Sequence, residues 1–136
     1  VTIYGAPGVE AACLDLQDRF GADVNMALYC LWIGRVLTPE SLDAAMETAD
    51  AVQSYVRPLR EMRRTLPKDA DGGVREAVKK AELAAEKLEQ DALEALGQAG
   101  TPDRAAAAVN LGAYAMLLGA DQGAFLAAAM PLLDAC

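Results

Sequence analysis

From Pro7 to Trp32, PGVEAACLDLQDRFGADVNMALYCLW, the chain reads as a helical hairpin whose second arm carries almost no charge. A helix that is apolar nearly all round has no polar face to give to water, so it must lie inside a core. Pro7 suits a first helical position. Val9, Cys13, Leu16 and Phe20 recur at helical spacing, and Gly21 ends the arm. Asp23 is placed to cap the next helix, which is expected to run to about Val36 with Asn25, Tyr29 and Arg35 as its polar exceptions. Such a central element requires other helices around it.

The remaining sequence supplies them. Thr38, Pro39 and Glu40 give a third helix its cap, its first-turn proline and an acid favoured by the helix dipole. Its apolar row is Leu42, Ala45, Ala49, Val52, Val56, Leu59, Met62 and Leu66. Pro58 removes the bond to the Ser54 carbonyl, but the apolar phase survives it, which predicts one kinked helix about 40 Å long. Pro67 to Gly73 reads as a turn. Val74, Val78, Ala81, Ala85, Leu88, Ala92 and Ala95 then keep a 4-3 spacing and predict a seam against the third helix, running antiparallel. Leu83 falls on the charged face of that fourth helix. Gly97 to Gly100 breaks it, and Thr101, Pro102 and Asp103 open a fifth, again apolar nearly all round, through Leu118. Gly119 ends the fifth, Asp121 caps a sixth, and Pro131 distorts or terminates it. Alanine and leucine dominate, and aromatics are only 5%, which favours helix over strand. The expected fold is all-α: a single domain over 1–136, a compact bundle of about six helices with two buried central helices and a long antiparallel hairpin.

A net charge of −8 argues against general nucleic-acid or anionic-membrane binding. Cys13, Cys30 and Cys136 are odd in number and widely spaced, so they make no disulfide framework and point to a reducing cytoplasm. The longest apolar run, Ala105 to Ala120, is too short to span a membrane. The chain begins at Val1, not Met, which suggests that some N-terminal sequence has been removed.

There is no histidine. That removes Ser-His and Cys-His nucleophile systems, the Glu-x-x-His di-iron motif and most zinc sites. No phosphate-binding glycine loop is present either. We therefore expect no catalytic residues, no metal and no cofactor, and a protein that is not an enzyme. Asp15 and Asp18 share a helix face and read as solvated acids. Cys13 and Cys30 lie at similar distances from the turn near Ala22 and read as small core residues; a redox switch would need a lowered pKa and access.

Two groups of residues carry the functional expectation. VNMALYCLW from Val24 and VNLGAYAML from Val109 share Val, Asn and Tyr in register. Asn25, Tyr29, Trp32, Asn110 and Tyr114 thus place polar groups on helices that read as buried. They are expected either to fix the packing of the two central helices or to line a ligand pocket. The second group is electrostatic. Between Arg57 and Lys80 stand eight cations against four acids, so the segment is +4 and the remainder −12. Arg57, Arg60, Arg63, Arg64, Arg75 and Lys79 would gather at the tip of the hairpin, with Arg60 and Arg64 approaching Arg75 and Lys79. They read as a solvated face or as a site for an anionic partner.

The stretch Tyr4–Trp32, followed by RPLREMRR from Arg57 and NLGAYAMLLG from Asn110, resembles an uncharacterised bacterial family of short helical proteins, domain-of-unknown-function family 2390. The resemblance implies an all-helical fold and brings no activity. It also implies an aromatic-rich turn before the Tyr, which is altered here and fits a trimmed N-terminus. The leading expectation is an interaction or adaptor module with an unknown protein partner. The alternative is a small-molecule or phosphate-ligand-binding protein using the polar stripe or an anionic ligand at the arginine tip.

Overall fold

The computed structural model describes residues 5–68 and 71–136, and every regular element among them is helical. Seven α-helices follow in order: α1 Val9–Phe20, α2 Val24–Trp32, α3 Pro39–Thr65, α4 Val74–Leu96, α5 Arg104–Leu117, α6 Gln122–Ala128 and α7 Met130–Asp134. A short 3-10 turn, Asp71–Gly73, precedes α4. Tyr4, Asp69, Ala70 and the expected trimming of the N-terminus lie outside the described residues.

Three caps form where the sequence places them, and the fourth shifts, since Asp103 and not Thr101 caps α5. Asp23, Thr38, Asp103 and Asp121 each accept a backbone N–H of the helix they open, from Asn25, Ser41, Ala106 and Ala124 respectively. Each removes one orphan donor from a helix start. Pro58 sits inside α3, which continues through it as one helix.

Helix α2 is the centre of the core: every residue from Met26 to Ile33 is buried. Around it lie Val9, Cys13 and Leu16 of α1, Leu111 and Tyr114 of α5, then Phe125 and Leu132. The α3–α4 hairpin enters this core only at its base, through Leu42, Ala45, Ala49 and Leu93. Further out, Val52, Val56 and Val78 are buried along the hairpin's own seam. One half of the hairpin is therefore rooted in the body and the other half is self-supported.

Four features depart from the sequence reading. First, α2 stops at Trp32 rather than near Val36. Gly34 turns the chain with φ of 72°, and a Cβ there would lie 2.5 Å from the Thr101 carbonyl oxygen. The loop before α5 takes that space, and Gly100 N–H donates to the Trp32 carbonyl at 2.9 Å. Second, α5 is not buried all round: Val109 is 54% and Met116 67% exposed, because α2, α6 and α7 pack on its other side. Third, the segment after Gly119 makes two short helices, since Pro131 fits the first turn of a new one. Fourth, the α4 seam is displaced. Val74 and Leu88 are exposed, while Val78, Glu82, Glu89 and Leu93 are buried.

Candidate functional site

The displaced seam has a chemical cause. On α3, Gln53, Arg57, Arg60 and Arg64 repeat at 4-3-4 spacing; on α4, Glu82, Glu86 and Glu89 repeat at 4-3. An antiparallel hairpin brings positions equidistant from its turn side by side. Arg60 and Glu82 each stand eleven residues from Asp71, and Gln53 and Glu89 each stand eighteen. Both pairs are in contact. The acids sit in the seam because α3 offers them partners there.

The outer pairs form a network. Arg60 Nε donates to Glu82 Oε2 at 3.2 Å, and its Nη2 to Glu86 Oε1 at 3.2 Å. Arg63 grips both oxygens of Glu82 through Nε and Nη2. Burial tends to raise the Glu82 pKa. The hydrogen bond and charge of Arg63, with those of Arg60, outweigh it and hold the carboxyl below its ordinary value. Glu86 goes the other way: burial raises it more than Arg60 lowers it.

Deeper in lies a second polar layer that ties hairpin to body. Asp23 caps α2 with Oδ1, and its N–H donates to the Tyr114 hydroxyl oxygen at 2.7 Å. Asn25 Nδ2 donates to the Glu86 carbonyl at 3.1 Å, and Gln53 Nε2 to Glu89 Oε1 at 2.7 Å. Asp23 Oδ2 and Glu89 Oε2 are both buried with no donor. These two carboxyls are hydrogen-bonding neighbours, so one proton between them satisfies both orphaned oxygens. Burial, together with the hydrogen bond and charge of Asp23, pushes Glu89 up to about 9. Burial also raises Asp23, against the Glu89 hydrogen bond, the Asn25 N–H and the charges of Arg60 and Arg57. Two carboxyls this close and this buried disfavour a double negative charge, so the proton belongs to the pair and not to either residue alone.

Where the hairpin leaves the core, a cleft of about 890 Å³ opens between it and the α1–α2 corner. Its body side includes Leu14, Asp18, Asp23 and Asn25; its hairpin side includes Gln53, the four arginines 57, 60, 63 and 64, Leu83, Glu86 and Lys87. Arg57 and Arg64 are exposed. Arg57 reaches only Asp50, at 3.6 Å with both side chains well exposed, and no acid among the described residues pairs with Arg64.

The structure sorts the sequence candidates. Arg57, Arg60, Arg63 and Arg64 come together in the cleft, while Arg75 and Lys79 do not line it. Arg60 meets Glu82 and Glu86 rather than Arg75 or Lys79. The polar stripe divides. Asn25 and Tyr114 belong to the layer around Asp23. Asn110 instead clamps the α2–α3 loop, donating to the Cys30 and Arg35 carbonyls and accepting from Leu37 N–H. Tyr29 and Trp32 pack edge to face with ring centroids 4.8 Å apart. Sequence reasoning missed Gln53, Glu82, Glu86 and Glu89, and took Asp23 only as a cap. The two facing 4-3 rows, counted from the turn, were the signal that could have found them.

Among the described residues no helix is long and apolar enough to cross a membrane, and no group of three or more His, Cys, Asp or Glu could hold a metal ion. A family model described as "Protein of unknown function (DUF2390)" matches residues 1–93, which hold α1 to α3 and most of α4. No curated protein and no solved structure matches the chain.

Proposed function

The chain belongs to the DUF2390 family, described only as of unknown function, and from its own chemistry we propose a non-enzymatic protein-interaction module that docks its partner in the cleft between α1 and the hairpin. The observation that carries this reading is the unequal pairing of the arginines. Arg60 and Arg63 are committed to Glu82 and Glu86, whereas in the same cleft Arg57 has only a solvent-exposed contact with Asp50 and Arg64 pairs with no acid among the described residues. Guanidinium groups held on one helix face recognise carboxylates and phosphates through paired N–H donors. The reading keeps the protein in a bacterial cytoplasm, in line with its three free cysteines.

A second reading takes the same two arginines as the site of a phosphate-bearing small molecule, favoured by the half-enclosed shape of the cleft. One experiment tests both. The Arg57→Glu, Arg64→Glu double variant should lose partners captured from the source cell and keep its helical circular dichroism, because both side chains are exposed. Capture by the wild type should weaken as salt rises. Unchanged capture by the variant would contradict the module reading. Displacement of the partner by millimolar inorganic phosphate or ATP would favour the small-ligand reading.

A further inference from the structure

The cleft has a property that its arginines do not explain. Leu14 on α1 is 50% exposed and Leu83 on α4 is 56% exposed, and both line it from opposite walls. Leu83 stands one turn from the exposed Lys79 and Lys87, on a face otherwise built for water. Two large apolar side chains at the rim of a polar cleft leave part of that rim better covered than hydrated.

The walls restrict what covers them. Both are helices, whose backbone groups are already paired along their length, so no edge is offered to an incoming strand. An occupant must satisfy its own backbone, as a helix does. A helix about 10 Å across with a 5.4 Å pitch fills roughly 420 Å³ per turn. The cleft of about 890 Å³ takes two such turns. Arg57 and Arg64, seven residues apart on α3, lie about 10.5 Å apart along its axis, again two turns.

Charge fixes the sign. The cleft's lining carries five cations, Arg57, Arg60, Arg63, Arg64 and Lys87, against four acids, Asp18, Asp23, Glu82 and Glu86, and Arg57 and Arg64 stand outside the Glu82–Glu86 network. Outside residues 57–80 the chain carries −12, so an acidic segment is repelled from most of the surface and accepted here.

We propose that the cleft docks a two-turn acidic amphipathic helix of a partner protein, with carboxylates two turns apart on Arg57 and Arg64 and apolar side chains between Leu14 and Leu83. This rests on the interaction reading above and adds the chemistry of the partner.

A display library of 14-residue helix-forming peptides, selected on the full chain, tests it. Enriched peptides are measured by fluorescence anisotropy against the wild type, the Arg57→Glu, Arg64→Glu variant and Leu83→Asp, each checked for an unchanged melting curve. The expected result is enrichment of peptides with Asp or Glu seven apart and Leu, Ile or Phe between them. Their binding should weaken at least tenfold in either variant and fall with salt. No enrichment, enrichment of basic or uncharged peptides, or acidic peptides indifferent to both variants would overturn the proposal. If the peptides fail while a cellular partner is still lost with Arg57→Glu, Arg64→Glu, the interaction reading stands and the acidic helix falls.

Discussion

Asp23 and Glu89 bring their carboxyls together across the joint where the α3–α4 hairpin meets the body of the fold. Each places one buried oxygen that no other donor reaches, and Glu89 is fully buried. Gln53, Asn25 and Tyr114 surround the pair, with Arg57, Arg60 and Glu86 as its charged neighbours. The joint is thus polar, and a single proton bridging the two carboxyls would satisfy both orphaned oxygens.

This pair makes stability fall as pH rises. Burial pushes Glu89 up to about 9 in the folded protein, from its ordinary 4.5. Between those values the native state holds a proton that the unfolded chain has lost, so its contribution is full below about 4.5 and is lost toward about 9. The limit is about 1.4 kcal/mol per pH unit. The raised pKa of Glu86 and of Asp23 acts in the same direction. Glu89→Gln keeps a donor for Asp23 and an acceptor for Gln53 without the proton. Urea titrations at pH 5.5, 7 and 8.5 should show the variant gaining on the wild type at each step. Parallel curves would exclude a shared proton.

Glu82 is the opposite case. Its pKa is held low by Arg63 and Arg60, so its contribution is present above the ordinary carboxylate pKa and lost as pH falls through the depressed one. Glu82→Ala leaves two guanidiniums, only 20% and 25% exposed, without their shared carboxylate. Thermal melts at pH 7 should show a loss of about 1–3 kcal/mol. Glu61→Ala, at an exposed position, should stay within about 0.5 kcal/mol.

Asn110 is fully buried and satisfies three backbone groups of another segment, the carbonyls of Cys30 and Arg35 and the N–H of Leu37. Asn110→Ala should cost about 2–5 kcal/mol in a denaturant titration, because each buried group left unpaired costs about 1–3 kcal/mol. Asn110→Asp should not rescue it, since a carboxylate cannot donate to two carbonyls. A loss below about 1 kcal/mol would mean that the loop finds other partners.

Much of this was legible because local rules and tertiary packing agree. Asp23, Thr38 and Asp121 cap the helices they precede, and uncharged α2 is buried from Met26 to its end. The failures over burial share one cause. An apolar residue marks a position that tolerates burial, yet it cannot say whether a neighbour arrives. Val109 and Met116 look like core and are exposed because no described element packs on that side of α5. Conversely, Glu82 and Glu89 look like surface and are buried, since their partners lie on another helix. The arginine cluster was visible as composition. Its neutralisation was not, because Glu82 and Glu86 fall just beyond the basic segment.

The cysteines give a simple check of the core. Cys13 and Cys30 are free and buried, and burial pushes their thiols up to about 11 and about 12. Cys136 is exposed at the last residue of the chain. Native labelling with Ellman's reagent at pH 8 should modify Cys136 within minutes and the internal pair only on unfolding. Rapid reaction of all three would mean that α1 and α2 separate readily.

The claim that most needs testing is that partners dock in the cleft and not on the exposed apolar face of α5. Leu83 lines the cleft and Met116 does not, and both are more than half exposed. A photo-cross-linking phenylalanine at either position, irradiated in the source cell, reads the two surfaces directly. Docking in the cleft gives a discrete adduct from position 83 that disappears when Arg57→Glu and Arg64→Glu are added, and none from position 116. An adduct from position 116 alone, or one at position 83 that survives the arginine changes, would contradict it.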